Sequence, residues 1–146
     1  MPRIDPASHP VISGTGYPAP HDRNVRGRSR ISISQAGELT QYGANLVTLL
    51  PGAWSSQRHW HTAEDELVVV LSGEMVLVEQ DAETLLRSGD IATFKAGVPN
   101  GHHLQNRSEG VAVFLAIGTD SPNQDECHYP DVDMHWSGEA GFTRKT

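Results

Sequence analysis

The sequence predicts an all-β fold in which short antiparallel strands form one barrel. Apolar side chains, mostly Val, Ile and Leu, recur with a period of two in short segments, the periodicity of a strand that buries one face. Gly, Asp, Asn and Ser separate these segments and indicate turns. No stretch of twelve residues shows a sustained helical period, and 146 residues are the length of one ordinary domain.

About eight short strands are predicted, a number that favours a sandwich or a barrel. Ile31 and Ile33 alternate with serine where the pattern begins. The apolar segments that follow are residues 45–50, 66–71, 75–78, 84–86, 91–94 and 111–117. Ser72-Gly73 and Gln80-Asp81 are turn signals between closely spaced strands.

The segment 66–71 is apolar on both faces after its first residue, Glu66. A strand with one face in water should alternate with polar residues. We therefore expect this strand to be covered on both sides, by the barrel interior and by a second sheet, the N-terminal arm or another subunit. A homodimer fits this expectation.

Two segments of opposite charge flank the predicted barrel at residues 31–119. Residues 1–30 form a basic arm with five of the nine prolines, which predicts extended, irregular chain. Its composition also fits a flexible segment, but its apolar residues favour packing on the domain or on a second subunit. Residues 120–146 form an acidic tail with interleaved aromatic side chains. A solvated tail is the alternative, but we expect it to pack back on the barrel or a partner.

Composition excludes several classes of function. The formal net charge is −7, whereas nucleic-acid binding requires a basic face. The longest apolar run has seven residues and is too short to span a bilayer. Cys127 is the single cysteine, so neither an intrachain disulfide nor a cysteine-rich zinc site is expected. The N-terminal residues lack the apolar core of a secretory signal, and we expect a cytoplasmic protein.

The candidate chemistry lies in two histidine-bearing segments. His59 and His61 would project to the same face of a strand, where two imidazoles form half of a metal site better than a structural pair. Glu66 follows five residues later, after a length of chain that permits a turn and return. A third imidazole comes from His102 or His103, which would point to opposite faces of a strand. Two histidines and a carboxylate would leave open positions on the ion.

The first of these segments resembles the first sequence motif of the cupin superfamily. It reads G-x6-H-x-H-x4-E-x6-G from Gly52 to Gly73, with one residue more in the first gap than the family pattern has. The second segment resembles the second cupin motif through Gly89, Gly97, His102 and Asn106. It departs from that motif in two ways: Lys95 replaces the usual proline, and four residues rather than two separate Gly97 from His102.

The resemblance covers roughly residues 31–119 and implies a cupin-type barrel, a double-stranded β-helix or jelly roll, between the extended N-terminal arm and the C-terminal tail. It implies that His59, His61, Glu66 and His102 hold one divalent metal. The H-x3-N spacing favours His102 over His103. We expect zinc in the isolated protein, with iron, manganese, nickel or copper as alternatives.

The metal site favours an enzyme that acts on a small molecule. A divalent ion with three neutral imidazoles and one carboxylate has a local charge of +1, which suits an anionic or enolisable substrate. The resemblance allows dioxygenase, isomerase or lyase chemistry, and the fold does not choose among them. Gln57, Tyr42 and His103 are further catalytic candidates. A non-catalytic module that binds a small ligand or acts as a sensor is the alternative, and a purely structural barrel would not need metal ligands.

Overall fold

The computed structural model describes residues 2–146, and the predicted all-β fold is confirmed. Nearly all regular structure is antiparallel β-strand. The strands are β1 (Ile12–Ser13), β2 (Arg28–Ser32), β3 (Tyr42–Leu49), β4 (Trp60–His61), β5 (Glu66–Ser72), β6 (Glu74–Val78), β7 (Glu83–Arg87), β8 (Ile91–Phe94), β9 (His103–Gln105), β10 (Ala112–Thr119), β11 (Glu126–His128), β12 (His135–Ser137) and β13 (Gly141–Thr143). Two short 3-10 helices, Pro6–Ser8 and Arg23–Val25, and the helix α1, Ile33–Ala36, complete the list.

Three sheets build the molecule. The largest has six strands in the order β1-β2-β3-β10-β5-β8, and a three-stranded sheet, β7-β6-β9, faces it. Strands β3 and β10 pair along their full lengths, from Leu49 opposite Ala112 to Tyr42 opposite Thr119. The main core packs between these two sheets, with Val47, Leu49, Val68, Val70, Met75, Leu77, Leu104 and Phe114 among its buried residues. The segments 45–50, 66–71, 75–78, 84–86, 91–94 and 111–117 all coincide with strands to within a few residues.

Ile33 differs from the sequence prediction because it begins α1 instead of continuing a strand. The Ser32 hydroxyl accepts a hydrogen bond from the Gln35 backbone at 3.2 Å and caps the first turn. In residues 2–146, α1 is the one α-helix, and no helix there is long and apolar enough to cross a membrane.

The two flanks of the chain are ordered against the barrel. Strand β2 belongs to the six-stranded sheet, so the predicted end of the arm at residue 30 falls inside a strand. Strands β11, β12 and β13 of the C-terminal segment form a sheet with β4. Tyr17 of the arm packs edge-on against Tyr129 and Phe142, at ring distances of 5.8 and 5.3 Å. The arm and the tail therefore share a second, smaller apolar cluster.

The outer face of β5 is only partly covered within one chain. Val68 and Val70 are 2% and 1% exposed on the inner face. On the outer face Leu67 and Val69 are half-buried, and Leu71 is 47% exposed. Within one chain, neither the arm nor a second sheet buries this side fully.

One ion pair joins the tail to the loop that carries the histidines. The Arg58 side chain is buried, and its Nε and Nη2 donate to the two carboxylate oxygens of Asp131 at 2.9 and 2.8 Å. Arg58 Nη1 also donates to the carbonyl of Gly101 at 3.0 Å. Hydrogen bonding to Arg58 lowers the pKa of Asp131 below its usual value.

We expect Asp131→Asn to destabilise the protein by about 1–2 kcal/mol at neutral pH. The expected loss is small for a charged hydrogen bond because the Asp131 side chain is 55% exposed. Since the pKa of Asp131 is lower in the folded state, its contribution is complete above about pH 4 and declines as the pH falls through the folded pKa. Urea unfolding at pH 7 and pH 3 should show the difference between wild type and variant shrinking in acid. Asp120→Asn, an exposed change in the same tail, should unfold like wild type at both pH values.

Candidate metal centre

The two histidine-bearing segments meet through a pair of backbone hydrogen bonds. The His59 amide donates to the His102 carbonyl at 3.1 Å, and the His102 amide donates to the His59 carbonyl at 2.9 Å. This isolated antiparallel bridge joins the two residues that directly precede β4 and β9. Residues 43 positions apart in the sequence are therefore neighbours at the centre of the barrel.

The imidazoles converge on the carboxylate of Glu66. The ring of His59 lies 5.0 Å from that of His61 and 5.2 Å from that of His102. His61 Nε2 is 3.4 Å from Glu66 Oε2, and His102 Nε2 is 3.8 Å from Glu66 Oε1. One donor atom from each of His59, His61 and Glu66 lies within 4.8 Å of the others. The structure thus brings all four residues of the predicted ligand set together.

The outer nitrogens of the three rings fix which nitrogen faces the centre. Nδ1 of His59 bonds to the Gln57 carbonyl at 2.8 Å, and Nδ1 of His102 to the Asn100 carbonyl at 3.2 Å. Nδ1 of His61 bonds to Asp125 Oδ2 at 2.6 Å. Because these oxygens only accept, each ring donates through Nδ1 and directs Nε2 inward, where the neutral ring has a lone pair for a metal ion.

The donor set fits a divalent metal ion. His102 Nε2 is buried and has no hydrogen-bond partner among residues 2–146, although it points toward Glu66. A buried polar atom without a partner is costly, and a cation at the centre would satisfy it. Three neutral imidazole nitrogens and a carboxylate oxygen are ligands that zinc, iron, manganese, nickel and copper all accept.

The protonation states of the cluster are unusual for these residue types. Burial, reinforced by the nearby His102 and His61, lowers the pKa of His59 to about 4. Burial opposes charge on His61 as well, but hydrogen bonds to Cys127, Glu66 and Asp125 raise its pKa to about 11. Although burial works against the ionised carboxyl, the imidazoles hold the pKa of Glu66 well below its usual range. Glu66 therefore stays an ionised acceptor in the barrel interior.

Asp125 is a residue of this site that the sequence did not reveal. It is 2% exposed, and its two oxygens accept hydrogen bonds from His61 Nδ1 and, at 2.9 Å, from the Ala63 backbone. A carboxylate behind a metal-binding histidine fixes the orientation of the ring. With Cys127, it also forms a second donor group on the Nδ1 side of His61. No spacing rule links the acidic tail to His61, 64 positions earlier.

The three further catalytic candidates occupy different surroundings. His103 is 4% exposed, lines the interior cavity and bonds through Nδ1 to the Ser56 carbonyl at 2.7 Å. Gln57 is buried and donates its amide to the His21 carbonyl at 2.9 Å. Tyr42 is 55% exposed at the edge of an outer groove. Of the three, His103 lies beside the metal centre.

Two cavities meet at the centre. An interior cavity of about 200 Å³ is bounded by His59, Glu66 and His102 and reaches Arg28 and Phe114. A second cavity, of about 230 Å³, has Trp60 and Lys95 in its wall and shares His102 with the first. The Phe94 ring stacks on His102 with centroids 3.5 Å apart and forms part of both walls.

Comparison with known proteins gives a consistent result. The family model described as Cupin domain matches residues 45–118. One similar solved structure is that of a sugar phosphate isomerase of the cupin superfamily from Silicibacter pomeroyi. It is 42% identical in sequence, has a TM-score of 0.92, and the match covers 99% of this chain and 93% of that chain. A protein proposed to be a sugar phosphate isomerase, from Acidithiobacillus ferrooxidans, is 28% identical, with a TM-score of 0.74 over 82% of this chain and 79% of that one.

More distant likenesses show the fold alone. A predicted oxalate decarboxylase from Thermotoga maritima is 18% identical, with a TM-score of 0.60 over 80% of this chain and 97% of that one. A search of curated proteins finds no match.

We expect Asp125→Asn to weaken the binding of Zn²⁺ by about 10–100-fold, the usual effect of losing a carboxylate behind a ligand histidine. Asparagine has one acceptor oxygen, so it cannot accept from both His61 Nδ1 and the Ala63 amide as Asp125 does. Competition with a chromophoric chelator measures the affinity. Asp120→Asn is the matched control and should bind Zn²⁺ like wild type. Unchanged affinity in a folded Asp125→Asn protein would contradict a role in orienting His61.

Proposed function

The chain belongs to the cupin superfamily, and we propose that it is a metal-dependent isomerase that acts on a phosphorylated sugar. The observation that carries the metal-dependent part is the convergence of three imidazoles on the Glu66 carboxylate, with His102 Nε2 buried and unpartnered in the described chain. The substrate class and reaction type are supported by the 42% identical relative, whose length the chain covers to 93%.

His59, His61, Glu66 and His102 are the proposed ligands. When bound, the ion supplies a Lewis acid that polarises carbonyl and hydroxyl oxygens of a substrate. The chain itself orients the three rings through Gln57, Asn100 and Asp125. Zinc remains our prediction for the isolated protein, with iron, manganese, nickel and copper as alternatives.

The walls of the cavity support chemistry away from bulk water. Phe94 and Phe114 bound it on the apolar side, and the polar groups of His103 and Ser56 bound it near His59. Isomerisation of a sugar moves hydrogen between adjacent carbons, and exclusion of water limits exchange and side reactions of the intermediate. His103 is the catalytic candidate that we retain, because its ring lines this cavity.

We expect the metal-loaded protein to interconvert an aldose phosphate and its ketose, which NMR spectroscopy of a panel of sugar phosphates detects directly. Metal removal should abolish turnover and re-addition should restore it. Glu66→Gln should lose more than about 100-fold in activity because the variant loses a charged ligand. Glu83→Gln, an exposed change in an ion pair with Arg107, should retain full activity. If the metal-loaded protein bound sugar phosphates without converting any of them, the function would be that of a binding or sensor module.

We also propose a homodimer formed by the outer face of the six-stranded sheet. Five aliphatic side chains align in one row across five strands through the cross-strand pairs of the sheet: Ile31, Leu46, Leu115, Val69 and Ile91. Ile91 is 63% exposed in the single chain. A second copy related by a twofold axis would present the same apolar row and cover it. The cytoplasmic location expected from the sequence remains a prediction.

Val69→Lys and Ile91→Lys should shift the protein to monomers, as measured by size-exclusion chromatography with light scattering. Both changes place a charge in the aliphatic row, where burial against a second copy would be unfavourable. Leu85→Lys is the control, because Leu85 is 44% exposed on the other sheet. A wild-type monomer at micromolar concentration, or dimers of both row variants, would contradict this interface.

A further inference from the structure

We propose that Arg28, supported by Arg30, binds the phosphate group of the substrate inside the barrel. This inference rests on the proposed function for the choice of substrate class. It assigns a binding role to the basic arm and places the two ends of the sugar phosphate at different walls of one cavity.

The position of β2 directs both arginines inward. Arg28 lies opposite Leu49, and Arg30 lies opposite Val47, in the antiparallel pairing of β2 with β3. Leu49 and Val47 are 0% and 1% exposed and belong to the main core. Paired residues project to the same face of a sheet, so the two cationic side chains point to the barrel interior.

Arg28 shares the cavity of the metal centre. The interior cavity bounded by His59 and Glu66 extends to the Arg28 side chain and to Asn45. A more open cavity on the tail side is likewise lined by Arg28, Ser56 and His59. A ligand in this space would therefore reach the metal centre and the guanidinium together.

The guanidinium of Arg28 is poorly compensated by the protein. Its Nε is buried without a hydrogen-bond partner among residues 2–146, and Nη1 donates to the Gly14 carbonyl at a long 3.3 Å. None of the ion pairs found within residues 2–146 includes Arg28. Burial and, to a lesser degree, the charge of Arg30 lower the pKa of Arg28. A half-buried cation without a hydrogen-bonded anion is costly, and an anionic ligand offsets that cost.

The other charged group of the cavity does not fill this role. Glu66 is directed to His61 Nε2 and His102 Nε2, at 3.4 and 3.8 Å. Neither an ion pair nor a hydrogen bond joins Glu66 to Arg28 among residues 2–146. An anionic ligand would supply the hydrogen-bonded partner that Arg28 lacks.

A phosphate ester matches this pair of cations. The planar guanidinium donates two parallel hydrogen bonds to a phosphate or carboxylate, and two arginines balance the charge of a phosphate dianion. Arg30 is held in place by Asn45, whose Oδ1 accepts from Arg30 Nη1 at 2.9 Å. With the phosphate at β2, the opposite end of the sugar faces His59 and the metal centre.

The test compares the binding of a sugar phosphate, the same sugar without phosphate, and inorganic phosphate to the metal-loaded protein by calorimetry. Wild type should bind the phosphorylated sugar more tightly than the same sugar without phosphate. Arg28→Gln should reduce the ratio of these two affinities by about 10–100-fold, the effect expected from losing charge-assisted hydrogen bonds. Arg28→Lys should retain part of it, since it keeps the charge and loses the bidentate geometry. Arg26→Gln, which changes an exposed arginine two positions away, should bind like wild type.

A purely structural role for Arg28 gives a different result. Arg28→Gln would then lower the melting temperature and leave the preference for phosphate unchanged, which would overturn the proposal. Binding to phosphate predicts instead an equal or higher melting temperature, because the variant removes a half-buried charge that has no ion-pair partner among residues 2–146. Metal content should not change.

The experiment separates this proposal from the proposed isomerase. Arg28-dependent binding of phosphorylated sugars without turnover would reject the isomerase and keep the phosphate site. Turnover with the same KM in wild type and Arg28→Gln would keep the isomerase and reject the phosphate site. If both are correct, Arg28→Gln raises KM for the sugar phosphate about 10–100-fold and changes kcat much less.

Discussion

The convergence of four polar side chains, one buried and three half-buried, at the centre of the barrel is the constraint on which the rest of the structure depends. Glu66 and the three imidazoles each need a partner on every side, because an unsatisfied polar group is costly in the interior. The backbone bridge between His59 and His102 fixes two of the rings, and carbonyl or carboxylate oxygens hold all three Nδ1 atoms. The surrounding sheets keep these partners in place.

The chain segments outside the family match complete the site. Residues 45–118 contain the four proposed ligands, whereas Arg28 and Tyr17 precede that range and Asp125, Tyr129 and Asp131 follow it. Strand β11 places Asp125 behind His61, and the Arg58–Asp131 pair joins the tail to the chain preceding His59. Residues from both ends of the sequence therefore contact the metal centre or its cavity.

Local patterns in the sequence were enough to predict most strands and to group His59 with His61, while the resemblance to the cupin motifs was needed to complete the set with Glu66 and His102. The period of two places His59 and His61 on one face, and turn residues separate the strands at the observed positions. Ile33 was placed on a strand because the alternating pattern does not include the effect of the Ser32 hydroxyl, which caps a helix that begins at Ile33. Asp125 and Arg28 were missed because their roles depend on contacts between remote segments. Alternation could have suggested that Arg28 and Arg30 share one face of a strand, but it could not show that this face is the inner one.

Because both flanks fold over the barrel, the protein contains two regions in which substitutions are constrained to different degrees. Glu66 lies on β5, whose register is fixed by the core, and His59 and His102 are joined by a backbone bridge, so these three ligands tolerate little displacement. The arm and the tail hold fewer core residues and lie at sheet edges. Substitutions there can change which ligands bind in the cavity, or how rigidly the His61 ring is oriented, while the metal ligands are retained. A scaffold of this kind can diversify at its ends, and proteins that share its metal ligands need not share its substrate.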